Sequence, residues 1–147
     1  MPRIYVTLTA IIGTVAGLSL FTFEYAEGFS YFSSNPKACN NCHVMNEFYD
    51  GWRKSSHHAA AVCVDCHMPT GLFDKIIAKA DNGYRHSKGF TFMDFHQPIM
   101  ITARNSEILQ NNCVRCHGAL VEGLNAGHGD RIRCVHCHSH VGHGVRK

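Results

Sequence analysis

The sequence predicts a mainly α-helical chain with much irregular backbone, one transmembrane helix at its amino terminus, and a core filled by bound cofactors rather than side chains. Three observations predict this. First, the eight cysteines form four Cys-x-x-Cys-His boxes: Cys39, Cys42 and His43; Cys63, Cys66 and His67; Cys113, Cys116 and His117; Cys134, Cys137 and His138. This spacing is the attachment signature for c-type haem. Two thiols meet the two vinyl groups on one porphyrin edge, and the adjacent imidazole lies under the iron. Zinc ribbons and redox dithiols also use Cys-x-x-Cys pairs, but neither requires histidine straight after the second cysteine. Second, the run from Ile4 to Phe23 carries no charge. Third, only positions 24–147 remain beyond that run to enclose four haems, roughly 30 residues for each. So little chain cannot enclose four porphyrins in an ordinary apolar core. The haems must pack against one another as the core, and the fold class is a multihaem cytochrome c.

The uncharged run comes first in the chain. At about 1.5 Å per residue it spans roughly 30 Å, the thickness of the hydrocarbon layer. A cleaved signal peptide would have a shorter apolar region and a small-x-small cleavage site. Here Phe23-Glu24-Tyr25 follows, so an uncleaved anchor over 4–23 is expected. Arg3 and the amino group precede it, which puts residues 1–3 in the cytoplasm and 24–147 in the periplasm. That is the oxidising side, where haem is attached to thiols. Phe29, Tyr31 and Phe32 follow, either as an interfacial aromatic belt or as rings packed on haem. The first box starts at Cys39, soon after the run ends at Phe23, which places it close to the membrane surface.

Ser33-Ser34-Asn35-Pro36 reads as a turn before the first box. A short helix is expected over 45–56. Met68-Pro69-Thr70-Gly71 breaks the chain after box two. Apolar residues at 72, 73, 76, 77 and 80 then define one helix face, with Lys75 and Lys79 as neighbours one turn apart. Asn82-Gly83 reads as its stop. Residues 89–98 are aromatic and irregular, and 99–111 form a helix leading into box three. Residues 118–147 are rich in glycine and histidine, with little periodicity. The step from Cys39 to Cys63 nearly matches that from Cys113 to Cys134, a spacing consistent with two di-haem halves.

The formal charge of +3 is offset by haem propionates and does not argue for a nucleic-acid partner. Of twelve histidines, four sit in boxes and eight remain. Each box histidine is a candidate proximal ligand. The distal candidates are His57, His58, His86, His96, His128, His136, His140 and His143, with Met45 and the lysines behind them. His143 follows box four too closely, and His57 and His58 precede box two too closely, to fold back easily onto their own haems.

Local stretches then carry a resemblance: Asn35-Pro36-Lys37-Ala38-Cys39, Cys39-Asn40-Asn41-Cys42-His43-Val44-Met45, Trp52-x-x-Ser55-Ser56-His57, Cys66-His67-x-Pro69-Thr70-Gly71, and Cys137-His138-x-x-Val141-x-His143-Gly144. With the anchor and four boxes, they resemble the NapC/NirT family of quinol-oxidising cytochromes over essentially the whole chain. Within it, the likeness is greatest to the small subunits of cytochrome c nitrite reductases. The resemblance implies that Met45, rather than His43, holds the first haem, whose other face stays open for quinol. It implies His67, His117 and His138 as the other proximal ligands. It sends His57, with His58 as competitor, to the fourth haem, and His143 to the second. Lys75, with Lys79 as alternative, goes to the third. The family carries an aspartate seven residues after that lysine; here the position is Asn82, with Asp81 just before it. Counted from Lys79 the same spacing reaches His86. Asp81 is the expected proton acceptor of a quinol site that also includes Lys75.

The function implied is that of a single-pass tetrahaem cytochrome c in the bacterial inner membrane. It would oxidise menaquinol and pass electrons to a periplasmic multihaem nitrite reductase that forms ammonia, in anaerobic respiration, with no nitrite site of its own. The competing expectations are a NapC-like donor to a different periplasmic reductase, and an anchored relay without a quinol site.

Overall fold

The computed structural model describes residues 2–125 and 132–144. The elements are helical in order, with no strand among the described residues. Helix α1, Pro2–Tyr25, extends the uncharged run by two residues at each end. It is long and apolar enough to cross a membrane, and none of its residues is buried against the rest of the chain.

A 3₁₀ turn, Gly28–Phe32, folds the chain back onto the end of α1. Gly28 sits so close to the Phe23 ring that a Cβ would overlap it, and the Phe29 ring meets Phe23 edge-on at 5.0 Å. Asn35 then starts α2, Pro36–Cys39: its side chain accepts a hydrogen bond from Lys37 N at 3.0 Å, and Pro36 takes a position whose N–H would be unused. A 3₁₀ turn, His43–Met45, leads into α3, Asn46–Arg53, and another, Ser56–Ala59, precedes α4, Cys63–His67.

Helix α5 spans Leu72–Phe92, so the expected stop at Asn82-Gly83 does not occur. A mid-helix glycine costs only about 1 kcal/mol. Packing outweighs it here: Ala78 and Gly89 are buried, and Asn82 Oδ1 accepts from Asn105 Nδ2 at 2.8 Å. The helix ends where Met93 turns left-handed (φ 53°) and Asp94 N bonds Gly89 O. The irregular stretch expected over 89–98 therefore begins later. Helix α6, Ala103–Asn125, also departs from expectation. Thr102 Oγ1 accepts from Asn105 N at 3.3 Å at its start, and box three lies within the helix rather than after it. Helix α7, Cys134–Cys137, holds box four.

Among the described residues, the buried apolar side chains are Ala38, Val64 and Ala78. Three small side chains are no core for a chain of this size. Polar ties around α6 position the boxes instead. Gln110, 2 % exposed, donates to Ile132 O and accepts from Cys134 N, each at 2.9 Å. Asn112 donates to Cys66 O at 2.9 Å and Met68 O at 2.8 Å. Arg115 reaches Asp65 O at 3.0 Å, and Arg133 pairs with Glu107 and Ser106. Helix α6 thus carries box three and grips boxes two and four.

Candidate haem-binding and electron-donor site

None of the eight cysteines is in a disulfide. The fold brings the boxes together in chain order. The Cys39 and Cys63 side chains are in hydrogen-bond contact, as are Cys113 and Cys134. Cys66 lies close enough to Cys113 and Cys116 for their charges to interact.

His67 and His143 test whether these residues fit haem. Their rings lie 5.9 Å apart, centroid to centroid, at an interplanar angle of 28°. Two imidazoles on opposite sides of one metal should stand about 6 Å apart, from two metal–nitrogen bonds of roughly 2 Å and two ring half-widths. The hydrogen bonding also fits. His143 Nδ1 lies 2.9 Å from Phe48 O; a carbonyl only accepts, so Nδ1 carries the proton and Nε2 presents its lone pair. Burial, and secondarily the charge of His143, lowers the His67 pKa to about 4, which keeps that imidazole neutral, as a ligand must be. Sequence reasoning missed the support beneath this pair. Gly51 in α3 lies against the His143 backbone, and a Cβ there would strike the His143 carbonyl. A glycine in the middle of so short a helix was the available signal.

A second pair is less expected. His57 is half-buried, with its ring 6.1 Å from that of His117 at 67°. That ring contact is with the histidine of box three. His58 is exposed and edges onto Trp52 at 4.8 Å; Trp52 Nε1 is fixed to Ala61 O at 2.9 Å. His96, His117, His136, His138 and His140 are exposed. His128 lies outside the described residues.

The surroundings of box one converge. Across the 3₁₀ turn His43 is exposed while Met45 is half-buried. Asn41 Nδ2 contacts Glu27 Oε2 at 3.3 Å and Ser30 Oγ at 3.1 Å. Lys79 Nζ donates to Tyr31 O at 2.7 Å and Ser33 O at 2.8 Å. Burial, then the charge of Lys75, lowers the Lys79 pKa, and burial beside Cys42 raises that of Tyr31. Box one and α5 are thereby tied to the chain leaving α1. Lys75, Lys79, Asn82 and His86 share one stripe of α5, each a turn beyond the last. Lys79 is engaged by two carbonyls, whereas Lys75 is half-buried one turn earlier. Asp81 stands off the stripe, between Arg85 Nε at 3.0 Å and Arg104 Nη1 at 3.5 Å.

Residues 1–147 match the NapC/NirT cytochrome c family, N-terminal region. The chain is 38% identical to the cytochrome c-type protein NrfH of Wolinella succinogenes, covering 91% of this chain and 82% of that protein. It is 31% identical to the cytochrome c nitrite reductase subunit NrfH of Nitratidesulfovibrio vulgaris, over 91% and 79% respectively. A solved structure, the cytochrome c nitrite reductase NrfHA complex bound to the HQNO inhibitor, contains a chain that superposes with a TM-score of 0.65. That match has 26% identity and covers 93% of this chain and 90% of that one.

Proposed function

The chain belongs to the NapC/NirT cytochrome c family, and from that premise we propose that it is the membrane-anchored electron donor of a cytochrome c nitrite reductase. In this reading four haems are attached at the four boxes, menaquinol is oxidised beside box one, and electrons leave for a multihaem catalytic subunit of the NrfA type. Residues 4–23 span the bacterial inner membrane, with 1–3 in the cytoplasm and 24–147 in the periplasm. The observation that carries the proposal is the convergence of box one, the Lys75–His86 stripe of α5 and the chain leaving α1. A site for a lipid-soluble reductant needs that placement; a relay between soluble proteins does not.

The haems, when bound, supply one-electron acceptors of tuned potential. The chain sets their ligands. Cys39, Cys42, Cys63, Cys66, Cys113, Cys116, Cys134 and Cys137 hold the porphyrins. Met45, half-buried, would hold the box one iron in place of the exposed His43. His67 and His143 share the box two iron, and Phe48 O keeps His143 in the ligating tautomer. His117 and His138 serve boxes three and four. Lys75 and His57 complete the set, and the ring contact of His57 with His117 favours box three for the histidine. Asp81, between Arg85 and Arg104 at the edge of the site and next to Asn82, is the proton acceptor of quinol oxidation in this reading. His86, on the stripe itself, is the competing base.

The test is reduction of the purified holoprotein in lipid vesicles by a menaquinol analogue under anaerobic conditions. The proposal expects haem reduction, slowed by Asp81→Asn. Haems that stay oxidised with the quinol yet accept electrons from a soluble reduced cytochrome would establish the relay reading instead.

A further inference from the structure

Helix α5 is packed on one side and apolar on the other. It meets the rest of the chain through buried Ala78 and Gly89 and through Asn82, which project together on a helical wheel. Lys75 belongs to the same half. Leu72, Phe73, Ile76, Ile77 and Tyr84 project roughly 180° away and are between 52 and 80 % exposed. In a soluble protein such a stripe turns inward. A contiguous outward one marks a surface that something else covers.

The bonds around it identify the cover. The chain leaving α1 folds back so that Phe29 packs on Phe23, while Phe29 and Phe32 themselves remain largely exposed. Lys79, in the middle of α5, is bonded to the carbonyls of Tyr31 and Ser33 in that segment. The middle of α5 is therefore tied to the chain that leaves α1, a segment that carries two more exposed rings. We propose that the Leu72–Tyr84 half of α5 lies in the interfacial layer of the same bilayer, its apolar stripe immersed, as a second membrane contact. Lipid is favoured over a protein partner because the tether ties this face to the membrane exit of α1. The contact fixes the height of box one and of the Lys75–His86 stripe against the membrane, where a lipid-soluble reductant enters.

Site-specific labelling tests this on the full-length holoprotein, whose own cysteines carry haem in the reading above. Single-cysteine variants Phe73→Cys and Ile77→Cys, with Glu122→Cys as reference, are placed in vesicles of phosphatidylethanolamine and phosphatidylglycerol without the reductase subunit. Glu122 is exposed and stands on α6, about 25 Å along that helix from Asn105, the residue that bonds α5. A water-soluble, membrane-impermeant maleimide is added, and rates are compared over the fraction of molecules accessible at the reference position. The expected result is labelling at positions 73 and 77 about tenfold or more slower than at 122. Rates within about threefold of one another would overturn the proposal. Protection that appears only after the reductase subunit is added would also overturn it, in favour of a protein interface. Haem content checks folding, and the second position stands in for a variant that does not mature. The measurement needs α1 in the membrane but no quinol chemistry, so failure to oxidise menaquinol leaves its outcome intact.

Discussion

His143 offers the sharpest test of the ligand assignments, because its ring, its hydrogen-bond partner and its backbone neighbour are all defined. His143→Ala removes an imidazole 5.9 Å from the His67 ring. If the two share one iron, that iron drops from two strong-field ligands to one and becomes high spin. On the proposed complement of four haems one is affected, so about a quarter of the haem signal should convert in the optical and electron-paramagnetic-resonance spectra. The carbonyl left behind, Phe48 O, loses one hydrogen bond, worth about 1 kcal/mol, so the variant should still fold and hold four haems. Added imidazole should enter the vacated space and restore the low-spin signal. Gly51→Ala supplies an independent arm. Its methyl would displace the His143 backbone, and the same quarter should convert without the ligand itself being touched. A double variant, His67→Ala with His143→Ala, separates one iron from two. On one iron the double change still affects one quarter of the signal; on two irons it affects half. Conversion of half would refute the shared-iron assignment, and so would an unchanged spectrum in His143→Ala.

The remaining predictions rest on other parts of the chain. Met45→Ala should shift the spectrum and potential of a single haem, whereas His43→Ala should leave both in place; the reverse result would return the box one iron to His43. Lys75→Leu should convert one haem to high spin, while Lys79→Leu should keep all spin states and instead release the Tyr31 and Ser33 carbonyls, seen as faster proteolysis after α1. Gln110→Ala should cost about 1–3 kcal/mol by leaving two part-buried backbone groups unpaired, read as a lower midpoint of denaturant unfolding followed in the Soret band; a change under about 0.5 kcal/mol would mean water replaces it. The depressed His67 pKa sets the sign of the acid response: the unfolded imidazole takes its proton below about 6.5 and the folded one only near 4. Stability is therefore full above 6.5 and declines as pH falls toward 4, more deeply still where iron holds the nitrogen, and an acid titration of unfolding should show that loss.

Much of the organisation was legible in the sequence. Box spacing fixes covalent chemistry, because two thiols separated by two residues must meet one porphyrin edge whatever the fold around them. The uncharged run from Ile4 to Phe23 fixes a helix, because its length matches a bilayer. The shortage of chain for each haem explains why the described residues bury only Ala38, Val64 and Ala78 as apolar core. Helix limits were legible only in part. Asn82-Gly83 carries a stop signal that local propensity obeys, but the bond to Asn105, on a different helix, carries α5 through it.

What only the tertiary structure decided are the pairings. His143 closely follows box four in the chain, yet its ring stands against His67 of box two and its Nδ1 bonds Phe48 O in α3. His57, which precedes box two, meets His117 of box three. Lys75 and Lys79 are equivalent on a helical wheel until two carbonyls from the chain leaving α1 claim Lys79. The physical reason is one of range. Attachment and membrane insertion are set by neighbours along the chain, so the sequence determines them. Which side chains stand near which box depends on groups from distant segments, and those meetings follow only from the tertiary fold, in which α6 grips boxes two and four.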